Sequence, residues 1–283
     1  MTSFALGTVQ FGLDYGISNK SGQVKLDEVK SILRTCLENN VITLDTAYAY
    51  GQAEDCLGKF DLAPFDLITK IPKMMDQSSE EIPKFLQKSL KRLNIPKVKG
   101  VMFHNGDDLL SSKGEGYFKK LEEMKNTGKV DKIGVSVYCP EVLDRIIKNF
   151  DINIVQFPLN VFDQRMLESG LLKKLKNNNI ETHARSAFLQ GLFFLDEKIL
   201  ASQFSQCFEK VSELKKMAKG LNRSLNEVLL SFALTAGVDY VVQGVVSQKQ
   251  LIQNLNTINN IIDFDFSEFS ISDEQIINPT MWR

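Results

Sequence analysis

The chain lacks most of what marks several large classes of protein. Its 283 residues include only four cysteines and two histidines. Cys36, Cys56, Cys139 and Cys207 are scattered, with no CxxC and no histidine pair beside them. Neither a metal site nor a disulfide frame is supported, and reduced thiols in a cytosolic protein are expected. No apolar run approaches the roughly 18 residues that a bilayer span needs. The N-terminal MTSFALGTVQ has no basic segment leading into an apolar core, which argues against a signal peptide. A net charge of −1 gives no reason to expect nucleic acid or an anionic membrane as partner. Low-complexity linkers are absent, and no GxGxxG follows the first candidate strand. An open dinucleotide-binding sheet would often show that motif.

What the chain does have is alternation. Its 43% hydrophobic content can bury a sizeable core. Apolar runs of strand length occur at 4–11, 41–44, 66–70, 99–103, 132–137, 153–157, 180–184 and 240–243. Bounded by turn residues, they suit strands buried on both faces. Helical periods fill the gaps. Val29, Ile32, Leu33, Cys36 and Leu37 share one face, with asparagines placed to stop that helix. Ser78 with Glu81, and Ser224 with Glu227, have capping-box spacing. Pro140 suits the first turn of a helix burying Leu143, Ile146, Ile147 and Phe150, and Gly220 suits a helix end. Eight strands alternating with helices in this length predict a single-domain (β/α)₈ barrel over residues 1–283. Irregular stretches at about 105–115 and 187–203 then fall at the face where barrels carry chemistry.

Four polar residues fall at or just past the ends of the second, third and fourth strands. They are Asp45 and Tyr50 in LDTAYAYG, Lys70 in LITK and His104 in VMFHN. Each alone has a plain reading, as a turn cap, a rim packing residue, a solvated strand end or a loop histidine. Together, on one rim, they can deliver a proton to a carbonyl oxygen. A phenol near its usual pKa of about 10 is a poor acid at neutral pH. A neighbouring ammonium lowers that value, a carboxylate can hold the ammonium, and a histidine can orient the oxygen.

The segments LGTVQFG, LDTAYAYG, LITK, VMFHN, IGVSVY, VQFPLNVFDQR, ARSAFLQGL and VVQGVVSQKQLIQNL resemble, in order over residues 5–255, the landmarks of the aldo-keto reductases. The resemblance implies a (β/α)₈ barrel, NADPH rather than NADH, and interconversion of carbonyl and alcohol. It implies a catalytic tetrad of Asp45, Tyr50 as acid, Lys70 and His104, leaving Tyr48 to the wall. Ser136 and Gln156 would then bond the nicotinamide amide. Ser186, Leu189 and Gly191 would pass beside the pyrophosphate. Ser247, Gln250, Gln253 and Asn254 would serve the adenosine, where a helix beginning near Ser247 can also offer free N–H groups to a phosphate.

Three positions depart from the family pattern. Val137 follows Ser136 where many members have asparagine. Arg185 stands where many stack an aromatic ring on the nicotinamide, so it either stacks there too or pairs with Asp163 or Glu181. Gln250 replaces an arginine that meets the 2′-phosphate, with Lys249 beside it. The resemblance also implies a small-molecule carbonyl substrate, sugar-type by the company of compact members, selected by the tail NPTMWR and the loop after the fourth strand. A monomer or small homo-oligomer is expected. Two other readings are a cofactor-binding regulatory subunit, as in potassium-channel β subunits, and an aldolase using Lys70 as a Schiff base.

Overall fold

The computed structural model describes residues 2–282. Eight parallel strands close into one barrel in chain order: β1 Ser3–Gly7, β2 Thr43–Asp45, β3 Asp66–Ile71, β4 Val98–Phe103, β5 Val130–Ser136, β6 Ile154–Pro158, β7 Glu181–Arg185 and β8 Tyr240–Gly244. Pairing of Ser3–Gly7 with Tyr240–Gly244 makes the closure. The helices are α1 Leu26–Glu38, α2 Ala53–Leu57, α3 Glu81–Leu93, α4 Gly114–Asn126, α5 Pro140–Asn149, α6 Arg165–Glu168 and α7 Leu171–Asn177. After β7 come α8 Glu197–Gln203, α9 Phe208–Gly220 and α10 Leu225–Thr235, and after β8 come α11 Gln248–Asn256 and α12 Glu274–Ile277. No helix of the described residues is long and apolar enough to cross a membrane.

Local rules account for the helices. α1 buries Val29, Ile32, Leu33 and Cys36, keeps Asp27 and Glu28 in its first turn, and ends where Asn40 takes φ +58°. The capping box of Ser224 and Glu227 is formed, and Pro140 opens α5. The other expected box is not. Glu81 begins α3 instead of sitting three residues inside it, and Ser78 caps only the N–H of Glu80. The first strand is also shorter than its apolar run. It stops at Gly7, and Val9–Phe11 form a 3₁₀ turn whose Gln10 carbonyl accepts the Val24 N–H at 2.9 Å. Of the two irregular stretches, Gly106–Leu110 and Leu189–Phe194 are 3₁₀ turns and Glu197–Gln203 is helix.

The period of two along the strands builds the site. Ile68, Met102 and Ile154 pack together apart from the main core that lies under the helices. Two residues further on, and therefore on the same inner side, come Lys70 and Gln156 within their strands and His104 one residue past β4, its N–H still on the Ile71 carbonyl. An apolar plug thus forms the floor on which polar groups stand.

Candidate active site

Asp45 ends β2, and the next five residues ride over the end of β3. The N–H groups of Thr46 and Tyr48 bond the carbonyls of Ile68 and Lys70, at 2.8 and 3.1 Å. Tyr50 closes a turn onto Ala47, and Gly51 follows at φ +56°. A Cβ on Gly12 would lie 1.9 Å from the Tyr50 carbonyl, so the turn rests directly on the β1–α1 backbone. The two tyrosines consequently part. Tyr50 lines the principal cavity, of about 840 Å³. Tyr48 packs outward against Phe85, at 5.0 Å between ring centroids, and under the Arg92 guanidinium.

The four expected catalytic residues come together. Lys70 Nζ donates to Asp45 Oδ2 at 2.6 Å, to the Thr46 carbonyl at 3.0 Å and to the Tyr50 hydroxyl at 3.3 Å. The His104 ring stands edge-on to that of Tyr50, with centroids 5.6 Å apart. The other oxygen of Asp45 accepts from the Gln156 side chain at 2.8 Å. Lys70 and Asp45 are buried at 1% and 2% exposure, so each compensates the other's loss of hydration.

The electrostatics differ from expectation in one respect. Burial, then the Asp45 carboxylate, push the Tyr50 hydroxyl above its usual range, and Arg185 opposes them. The net shift is upward even with the Lys70 ammonium 3.3 Å away, so Tyr50 holds its proton. Burial lowers the Lys70 ammonium, and the Asp45 charge works against that shift. Burial, Lys70 and Arg185 bring His104 down to about 4. The imidazole is therefore neutral at physiological pH and can bond an oxygen without adding charge.

From Tyr50 the cavity runs past the ends of β5–β8. Ser136, Gln156, Arg185, Ser186, Gly191, Gln250, Gln253 and Asn254 line it; Leu189 and Ser247 do not. Leu189 is a core residue, and the Ser247 hydroxyl caps α11 by accepting the Gln250 N–H. The first N–H of that helix is not free either, because Gln248 donates to Glu28 Oε1 at 2.6 Å. Lys249 lies outside the lining. Arg185 stacks on Tyr138 at 4.2 Å and donates to the Val137 carbonyl at 3.3 Å. Its two suggested partners are engaged elsewhere, Asp163 with Arg165 and Glu181 with Lys132 and His183. Among the described residues Arg185 forms no ion pair.

The sequence model of the aldo/keto reductase family matches residues 3–276. The chain belongs to that family. Aldo-keto reductase YhdN of Bacillus subtilis is 26% identical over 68% of this chain and 67% of its own. The glyoxal reductase of the same organism is 24% identical over 86% and 80%. Among solved structures, an aldo-keto reductase from Bacillus halodurans in holo form superposes with TM-score 0.73 at 18% identity, covering 99% and 92% of the two chains. A glycerol dehydrogenase from Gluconobacter oxydans gives 0.69 at 21%, covering 96% and 88%. The protein is thus an oxidoreductase of a family that generally uses a nicotinamide cofactor on small carbonyl substrates.

Several residues of this aldo-keto reductase site were not visible in the motifs. Glu54 on α2 is 1% exposed, accepts from Thr69 at 2.7 Å, and takes Arg92 at 3.3 Å, while Arg92 also bonds the Tyr48 carbonyl. This network braces the turn that carries Tyr50. A carboxylate three residues past the Tyr50–Gly51 turn was its one sequence signal. Tyr15 and Tyr138 line the cavity near Tyr50, and the β1–α1 segment spans it, with the Ile17 N–H on the Gln190 carbonyl at 2.9 Å. Pro279 and Thr280 of the tail also reach the cavity, whereas Arg283 lies outside the described residues.

Proposed function

We propose that this aldo-keto reductase is a cytosolic enzyme that reduces an aldehyde or ketone to an alcohol, with Tyr50 as the acid. The observation that carries the reading is the buried chain of contacts from Asp45 through Lys70 to the Tyr50 hydroxyl, opening on a cavity large enough for a dinucleotide and a small substrate. The lining suits a polar, anionic cofactor: Arg185 is without a carboxylate partner and can meet negative charge, while the buried Gln10 Oε1 has no donor among the described residues and can accept one from a polar ligand. When bound, the dinucleotide would supply a hydride to the carbonyl carbon. Ser136 and Gln156 would hold its amide, Arg185 would lie at the same end, Ser186 and Gly191 would face its phosphates, and Gln253 and Asn254 its adenosine. The resemblance implies NADPH, and which dinucleotide the chain takes turns on the residues around the adenosine.

Tyr50 gives its proton to the carbonyl oxygen as the carbon becomes tetrahedral. Lys70, fixed by Asp45, stands beside the phenolate left behind, so the group that was hard to ionise in the resting site ionises only against developing charge. Neutral His104 holds the oxygen on its other side. Names such as glyoxal reductase and glycerol dehydrogenase among the relatives support a small polar substrate, sugar aldehydes and keto-sugars included. A panel of those compounds and aromatic aldehydes, followed by loss of the reduced dinucleotide's near-ultraviolet absorbance, tests the reading. Turnover of small polar carbonyls is expected, and no consumption with any of them sinks it.

A further inference from the structure

The contacts around α2 close a ring behind the acid, and we infer that Glu54 is a positioning residue for the proton transfer, acting on Lys70 and on the Tyr50 turn from outside the cavity. The inference rests on the reductase reading. Glu54 is not part of the cavity lining, so it does not meet substrate or cofactor there. It is nonetheless a carboxylate buried at 1% exposure. Its charge is met by the Thr69 hydroxyl at 2.7 Å and by Arg92 at 3.3 Å. Arg92 is shared with the Tyr48 carbonyl at 3.3 Å, with Asp55 at 3.6 Å and with the Tyr48 ring. A neutral side chain of the same size would fill the space at a smaller cost in desolvation, so the charge calls for a role beyond packing.

Thr69 and Lys70 are neighbours on β3, and their side chains leave opposite faces of the strand. Glu54 therefore grips the strand from outside, one residue from the lysine that serves Tyr50 within. The Tyr48 N–H holds the Lys70 carbonyl, and the Tyr50 carbonyl accepts the Ala53 N–H at 3.0 Å where α2 begins. The ring runs from Tyr50 along α2 to Glu54, across to Thr69 and Lys70, and back to the Tyr50 hydroxyl. Charge makes a second link. Burial disfavours the Lys70 ammonium, Asp45 supports it, Arg185 opposes it and Glu54 supports it. Tyr50 and neutral His104 stand at the same end. On its other side Glu54 faces Arg92 of α3, with Asp55 on the same guanidinium and Lys88 over the Tyr48 ring at 5.4 Å.

The test is the pH profile of kcat for the parent, Glu54→Gln, Glu54→Asp and Arg92→Gln, with a carbonyl substrate that the panel identifies. Tyr50 is held well above its usual range, so a fall in turnover at alkaline pH reports loss of the Lys70 proton. Glu54→Gln keeps the shape and can still accept from Thr69. It should lower kcat roughly tenfold, the scale of a slightly misplaced group, with dinucleotide Kd nearly unchanged. Without the carboxylate Lys70 gives up its proton sooner, so the alkaline limb should move to lower pH by roughly half a unit, less than the roughly 1–3 units of a directly paired charge. Glu54→Asp keeps the charge and should hold the limb at the parent's position. Arg92→Gln removes the cation that screens Glu54 and should move the limb the other way. Opposite shifts from the two halves of one pair separate charge from packing. If Glu54→Gln does not fold, the upward shift of Arg92→Gln carries the test, and its absence overturns the inference. A Glu54→Gln enzyme with the parent's rate, or limbs that neither substitution moves, overturns it while the parent's turnover upholds the reductase reading. A parent that consumes no reduced dinucleotide removes both.

Discussion

The two ends of the cavity are built on different principles. At the Tyr50 end, charges are buried, paired and held by several bonds each: Lys70 makes three, and both oxygens of Asp45 are engaged. At the end proposed for the adenosine the lining includes the neutral amides Gln250, Gln253 and Asn254. Proton transfer needs a fixed geometry and a tuned environment, so a change at the first end removes the chemistry. Recognition of a nucleotide sums several weak contacts, so a change at the second end shifts affinity by degrees.

The largest effect should come from Lys70→Met. It leaves Asp45 buried without its cation, a loss on the order of 3–5 kcal/mol, with turnover lowered as well. Denaturant midpoints and steady-state rates measure the two, and a variant as stable as the parent would mean that the pair is not buried as described.

A pH effect follows from His104. Its value of about 4 in the fold lies below its unfolded value of about 6.5. Between those pH values the unfolded chain binds the extra proton, so stability is complete above about 6.5 and falls as pH drops towards 4, by up to about 3 kcal/mol. Unfolding free energies of parent and His104→Asn across that window should differ in slope, the variant being flatter. Equal slopes would place the ring in water.

At the other end, Asn254→Ala should raise the Kd of either dinucleotide by roughly tenfold, the scale of a buried amide's bonds. Asn254 also holds Gln243 and Asn226, so the melting transition is checked alongside. The smallest effect is at Arg185, whose charge disfavours an oxidised, positive nicotinamide relative to a reduced one. Arg185→Tyr should narrow the gap between the two redox forms by a fewfold, and an unchanged ratio of their Kd values would show that the guanidinium lies away from the ring.

The contrast between the two ends also explains what could be read in the sequence. Lys70 and His104 sit two residues after Ile68 and Met102, and that period fixes which way they face whatever the loops do. The Glu28–Gln248 bond joins positions 220 apart, and no local pattern signals it. The capping box at Ser78 failed because spacing alone does not say where a helix begins, and α3 starts only at Glu81. Glu54 was hidden for a related reason: a short helix of five residues gives too little period to show that its carboxylate faces inward. Arg185 was legible as a departure from the family, but its rest against Tyr138 depends on the loop after β5 reaching past β6 to the end of β7.

The most direct test is single-turnover reduction with saturating reduced dinucleotide, comparing the parent with Tyr50→Phe and Tyr48→Phe on a substrate that the panel identifies. Loss of the acid should slow the Tyr50→Phe step by roughly a hundredfold or more, with dinucleotide Kd nearly unchanged, while Tyr48→Phe stays near the parent rate. A Tyr50→Phe enzyme that turns over at the parent rate, or a Tyr48→Phe enzyme that carries the loss instead, would contradict the assignment of the proton to Tyr50.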